Sequence, residues 1–356
     1  MDVKLFSLCK QETPETKAGM KHIVRCVKAF FPECNGINNF TSQKRMLLAA
    51  SQSLQAADIV VIAVQSNMYN ATKKLLAGAL DLKIAKNRAV ANALTDSLEK
   101  GEIKQSAFES NIRFPHGAVI MPTDNYINCG FILSAGSQHI VYLPLEAPKA
   151  DEVVYGSMFD FFREISEENA EDAFRKRHRL IAGRTLDKLN EDSVTVAFAG
   201  GSTTDVISHL VDGLSFKDCF SFSDITVNEY SPLEDMIDAA REARDEQRSQ
   251  LSVVISPIKT NENSERFISV AIADENGTTT FDFSAENGES EAELTLNCID
   301  KVMLLLYSHE KLTDNSDPAD IETKSDKTIR TALFKAASIA VGATAIVSIL
   351  IALIAK

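Results

Sequence analysis

Two turns, each joining an apolar run to a helical pattern, hold the residues best spaced for chemistry. In the second half of the chain, residues 194–199 are followed by Gly200-Gly201-Ser202-Thr203, and residues 204–214 continue at helical spacing. A glycine turn at a helix start presents backbone N–H groups that have no partner within the helix and can hold an anion. The plainer reading is that Ser202 or Thr203 does no more than cap the helix. In the first half, residues 58–64, DIVVIAV, read as a fully buried strand. Ligands of open parallel sheets sit beyond the carboxyl ends of strands, so the turn after Val64 is the second place to look.

The elements that must position these turns can be read from periodicity. Residues 3–8 alternate like a short strand, 17–31 and 41–56 repeat at helical spacing, and helical patterns return at 68–80 and 85–100. Short strands at 118–121, 130–133 and 139–143 precede a helix at 153–163. Residues 164–192 are acidic, then basic, and read as a linking helix. His178 stands there among Arg and Lys, with no second ligand at metal spacing, so it reads as part of a solvated face. Beyond it, strands at 219–227 and 251–255 flank a helix at 233–250. A hairpin turns at Glu275-Asn276-Gly277, and an amphipathic helix covers 292–307. Strands alternating with helices over residues 1–165 predict an α/β fold in layers with a largely parallel sheet, and the second half reads as a further α/β domain.

Charge and composition exclude several classes. The chain has 37 Lys and Arg against 50 Asp and Glu, a net charge of −13, which repels phosphate backbones and argues against nucleic acid as a partner. Asp2 and Lys4 sit where an export signal would need a basic start and an apolar run. The cysteines at 9, 26, 34, 129, 219 and 298 contain no CxxC pair and read as reduced thiols of a cytoplasmic head. No metal or cofactor is expected. Residues 336–355 carry no charge and are long enough as a helix to cross a bilayer, so they read as a single transmembrane anchor. Lys324, Lys327, Arg330 and Lys335 precede that segment and only Lys356 follows it, which places the head in the cytoplasm. Residues 311–335 form a polar tether containing Pro318. Within the anchor, Ala336, Ala340, Thr344, Ser348 and Ala352 form a stripe of small residues, the kind of face on which membrane helices pair into a homodimer.

The order of segments resembles a known family. Residues 113–148 contain Pro115, Gly117, Ala118, Gly130, Phe131, Leu143, Pro144 and Pro148 in the pattern of molybdopterin-binding domains. Residues 193–308 resemble the carboxy-terminal domain of the competence/damage-inducible protein CinA family, which is similar to nicotinamide-nucleotide amidases. The resemblance implies a molybdopterin-binding-like domain over 1–165, a linker helix over 166–192 and a CinA C-terminal-like domain over 193–310, both three-layer α/β, and a bacterial source. It also shows what is missing. After Val64 the family's glycine-rich phosphate loop and its two carboxylates are replaced by VQSNMYNAT, in which only Thr72 corresponds; Asn67, Asn70 and Asp124 remain as polar residues able to contact a ligand or to serve the turns. In the second domain Gly200 stands where the family has Glu, Gly201 where it has the catalytic Ser, Phe222 for its Tyr and Val227 for its Lys.

Amide hydrolysis through serine needs a nucleophile, a base and donors for the oxyanion. These losses imply a membrane-tethered pseudoenzyme acting as a binding or scaffolding module, with a nucleotide as the expected ligand at Gly200, Gly201, Ser202, Thr203, Thr204 and Asp205. The alternative is an active nucleotide hydrolase, of nicotinamide-nucleotide amidase or ADP-ribose pyrophosphatase type, whose relocated catalytic residues would be drawn from Ser202, Thr203, Asp205 and Asp224.

Overall fold

The computed structural model describes residues 1–286 and 288–307. The chain divides into two compact units, one over Met1–Ala173 and one beginning at Phe174. The expected tether and anchor lie outside the described residues, and among the described residues no helix is long and apolar enough to cross a membrane.

The first unit contains β1 (Val3–Leu8), α1 (Pro14–Phe30), β2 (Ile37–Phe40), α2 (Gln43–Ser53), β3 (Ile59–Val64), α3 (Ser66–Ala79), β4 (Ile84–Lys86), α4 (Arg88–Glu99), α5 (Gln105–Asn111), β5 (Arg113–Pro115), β6 (Val119–Met121), β7 (Gly130–Ala135), β8 (Gln138–Pro144), α6 (Lys149–Val153) and α7 (Phe159–Ile165). Its six-stranded sheet has the order β2-β1-β3-β8-β7-β6. The β2, β1, β3 and β8 strands run parallel, and β7 and β6 are antiparallel. Every residue of β3 is buried, which is why its sequence is an unbroken apolar run. Alternate residues separate its two faces. Val60, Ile62 and Val64 pack with Met46, Met68, Tyr69 and Leu76 in one core cluster. On the other side α1 lies so close that a Cβ on Gly19 would stand 1.8 Å from Leu145 O.

In the second unit are β9 (Val196–Ala199), α9 (Ser202–Val211), β10 (Phe220–Phe222), α10 (Leu233–Gln247), β11 (Leu251–Ile255), β12 (Lys259–Thr260), β13 (Arg266–Ala273), β14 (Thr278–Ser284) and α11 (Glu291–Tyr307), while α8 (Ala170–Glu191) enters it from the first. The sheet order is β10-β9-β11-β13-β12, with β14 paired to β13. Parity decides what each face accepts. Val196, Phe198, Val253 and Ile255 meet α8, α9 and α11. The small Ala197, Ala199, Ala271 and Ala273 face α10, which presents Met236, Ala239, Ala240 and Ala243.

Both units are α/β, as the periodicity predicts, and four local expectations need correction. Residues 85–100 are not one helix: Ile84–Lys86 is a strand, and Asn87 caps α4 by accepting a hydrogen bond from Val90 N at 3.0 Å. The expected strand at 219–227 is ordered as β only over Phe220–Phe222. The helix expected at 153–163 is interrupted by a π-turn at Val154–Met158, where Gly156 leaves helical dihedrals. Finally, His178 is not on a solvated face. It is 1% exposed, with Nδ1 2.8 Å from Asp300 Oδ2, although not aligned for a hydrogen bond. Its helix is a layer of the second unit: Ala182, Leu186 and Leu189 belong to that core, and Thr185 Oγ1 donates to Met303 O at 2.9 Å. An acidic run followed by a basic one hides such burial because the partner helix lies more than a hundred residues away.

Candidate functional site

In the first unit, β3 passes through Gln65 into α3, and no side chain from within the turn caps the helix. Gln65 instead joins two loops, accepting from Lys10 N and donating to Gln11 O, both at 3.1 Å. The first N–H of α3 is taken by a carboxylate from two residues beyond the end of β8. Glu146 Oε1 accepts from Ser66 N at 2.7 Å and Glu146 Oε2 from Ser66 Oγ at 2.8 Å. A charged acceptor at a helix N-terminus makes a strong, charge-assisted hydrogen bond and is favoured by the helix dipole. The chain's own anion therefore holds the place at which a ligand phosphate would be sought.

The residues singled out around this turn do not converge. Asn67 is exposed, while Thr72 is fully buried and its hydroxyl donates to Met68 O at 2.9 Å and accepts from Gln43 Nε2 at 2.8 Å. Asn70 Nδ2 reaches Asn128 Oδ1 at 3.4 Å, and Asn70 Oδ1 is buried without a hydrogen-bond partner among the described residues. Asp124 is exposed, and its backbone N donates to Glu152 Oε2 at 2.9 Å. Burial pushes the Glu152 carboxyl above its ordinary range, against the pull of that hydrogen bond. Among the described residues no hydrogen bond joins Asp124 to Asn67 or Asn70.

Lys73, one position beyond Thr72, has the most perturbed amine. It is 1% exposed; Nζ donates to Ser110 O at 3.0 Å and stands 4.3 Å from the centre of the Phe114 ring. Burial pulls its pKa down to about 7. Among the described residues no nucleophile is hydrogen-bonded to it, and a backbone carbonyl with an aromatic face makes a structural setting for an amine rather than a reactive one. Sequence reading passes over Lys73 because its exposed neighbour Lys74 makes the pair look like ordinary surface.

The second unit presents its turn differently. Gly200 has φ +129° and Gly201 φ +85°, and Gly200 N donates to Ile225 O at 3.1 Å. A Cβ on Gly200 would lie 2.1 Å from Ile255 O of the neighbouring strand β11, so only glycine fits there. Gly201 is the N-cap of α9 and no side chain caps the helix; Thr204 Oγ1 donates back to Gly201 O. Ser202, Asp205 and Asp224 are exposed, and Thr203 and Thr204 are buried. Among the described residues the side chains of Ser202, Thr203, Asp205 and Asp224 form no hydrogen bond to one another or to a base.

The neighbouring positions are occupied by packing. Phe222 stacks on Phe198 with ring centres 6.0 Å apart, and Val227 is buried against the α10 side of the sheet. Ser223 Oγ donates to Glu246 Oε2 at 2.6 Å. Lys259 Nζ donates to the backbone carbonyl Ser231 O at 2.8 Å. A shallow depression of about 420 Å³ runs beside Ser208, His209, Lys217 and Phe222 and includes none of the residues from Gly200 to Asp205. Among the described residues no group of three or more His, Cys, Asp or Glu is placed to hold a metal ion. The arrangement offers backbone donors at a glycine turn and, among the described residues, no activated nucleophile.

No family model and no curated protein matches this chain. Solved structures do. The competence/damage inducible protein CihA from Agrobacterium tumefaciens is similar at 13% identity and a TM-score of 0.31, over 37% of this chain and 94% of that one. A protein CinA described as of unknown function, from Thermoplasma acidophilum, is similar at 11% identity and a TM-score of 0.36, over 45% of this chain and 97% of that one. A CinA superfamily protein from Enterobacter cloacae is similar at 12% identity and a TM-score of 0.30, over 36% of this chain and 91% of that one.

Proposed function

We propose that this chain is a non-catalytic binding or scaffolding protein, built from CinA-like parts and tethered to a membrane by residues 336–355 with its head in the cytoplasm. The observation that carries the reading is the β9–α9 turn. Two glycines occupy the positions that the family resemblance gives to an acidic residue and the serine, and the first of them leaves no room for any side chain beside Ile255 O. Ser202, one residue on, is exposed and has neither a base nor an orienting partner among the described residues. A serine hydroxyl without a base is a weak nucleophile. Relocated catalysis through Ser202, Thr203, Asp205 or Asp224 would need those groups to meet a common base, and no observation favours that reading.

A fluorophosphonate probe, which reports activated serines, tests the catalytic half of the proposal. The full chain is expected to remain unlabelled under conditions that label an active serine hydrolase, and labelling at Ser202 would contradict it. The membrane half predicts that the full chain floats with liposomes and resists alkaline carbonate. Ile346→Lys with Leu350→Lys is expected to release it, and the tether reading fails if the unmodified chain stays in the soluble fraction.

A further inference from the structure

Charge in this chain is unevenly distributed. Between residues 73 and 116, eight Lys and Arg stand against five Asp and Glu, whereas the whole chain has 37 against 50. That segment includes the two-stranded ribbon β4–β5, which pairs with no other strand among the described residues, and it frames a groove of about 760 Å³. The groove is lined by Lys74, Ile84, Lys86, Glu109, Ser110 and Arg113. Glu109 fixes two of its cations: it accepts from Arg113 Nε and Nη2 at 3.3 and 2.9 Å and from Lys86 Nζ at 3.2 Å. The Arg113 and Lys86 hydrogen bonds in turn hold the Glu109 carboxyl below its usual range. Lys86 and Arg113 nevertheless keep 57% and 44% of their side-chain surface exposed. Arg has five donors and Lys three, so Nη1 of Arg113 and two N–H groups of Lys86 remain for an incoming acceptor. Lys74 adds a third exposed cation, and Leu75, 49% exposed, adds apolar surface beside it.

We propose that this groove is a docking surface for an acidic, extended segment of another protein. Charge complementarity selects the partner: the groove carries three cations against one carboxylate. The short ribbon leaves strand edges able to accept an extended chain. A small metabolite is a poorer fit, because such ligands are held in enclosed pockets with converging polar groups. A nucleic acid or an anionic bilayer would also have to approach the acidic remainder of the molecule, which a short segment avoids.

The test is fluorescence anisotropy of a fluorescein-labelled decapeptide of alternating Glu and Val against the full chain in mild detergent, at 50 mM salt. Saturable binding is expected, weakened at least tenfold by Lys86→Glu with Arg113→Glu and several-fold by Lys74→Glu alone. A control pair, Lys10→Glu with Lys44→Glu, changes net charge equally and is expected to alter affinity less than twofold. Circular dichroism checks that each variant is folded. The proposal is overturned by the absence of saturable binding, by equal weakening in both charge-reversed pairs, or by tighter binding of a thymidine 20-mer or of phosphatidylserine vesicles through the same residues. It is also overturned if Lys86→Glu with Arg113→Glu dissolves a self-associated form, which would assign the groove to a second copy.

Discussion

The two strand-to-helix turns share a backbone plan and differ in what their neighbours supply. In the first unit β3 runs into α3, and two residues beyond the end of the adjacent strand β8 stands Glu146, whose carboxylate takes the N–H and hydroxyl of Ser66. In the second unit β9 runs into α9, and the adjacent strand β11 contributes a carbonyl, Ile255 O, packed against Gly200. One turn is closed by a side chain from the chain itself, and the other is shaped by backbone that leaves no room for one. The unsatisfied donors of a helix start are thus met by a charge in one case and left without a side-chain cap in the other. Neither answer supplies a nucleophile with a base.

This contrast can be broken most severely at Gly200. Gly200→Ala must move β11 and adopt an unfavourable φ, and is expected to lose about 4 kcal/mol in urea unfolding. A loss below about 1 kcal/mol would mean that the close approach is not a constraint. The next largest effect lies under the first unit's helix. Because burial lowers the pKa of Lys73 in the folded chain to about 7, the folded state binds fewer protons than the unfolded state between about pH 7 and its ordinary value of 10.5. Stability contributed by this group therefore rises as pH increases through that window and stays at its low level below it. Lys73→Met is expected to remove the slope and to gain about 3 kcal/mol relative to the parent chain at pH 6, with the gain shrinking towards pH 10. Denaturation at pH 6, 8 and 10 reads it directly.

Smaller effects sharpen the comparison between the turns. Glu146→Ala leaves Ser66 N–H without its carboxylate and is expected to cost about 2 kcal/mol, while Glu146→Gln, which keeps an acceptor, costs about 1 kcal/mol. At the other turn, Ser202→Ala and Asp205→Ala are expected to change stability by no more than about 0.5 kcal/mol, since neither side chain forms a hydrogen bond among the described residues. Equal costs at the two turns would erase the distinction.

How much of this was legible in the sequence depends on the range of the interaction. Buried parallel strands announce themselves by unbroken apolar runs, so β3 and β9 and the helices after them could be placed from local pattern alone. Gly200-Gly201 could be read as a turn, but the reason for the first glycine could not, because Ile255 lies 55 residues away in the neighbouring strand. Glu146 was invisible for the same reason, 80 residues from Ser66. His178 and Lys73 were misleading because their neighbours in sequence are charged while their neighbours in space are Asp300 and Phe174, or Ser110 and Phe114. Periodicity registers which face a strand or helix presents, and it carries no record of which distant side chain will fill a turn.

The most direct test of the central claim is hydrolysis of nicotinamide mononucleotide by the full chain in detergent, followed by release of ammonia. No turnover above buffer is expected from folded, monodisperse protein. Turnover abolished by Ser202→Ala or Asp205→Ala would contradict it and would mean that the glycine turn carries a rebuilt catalytic site.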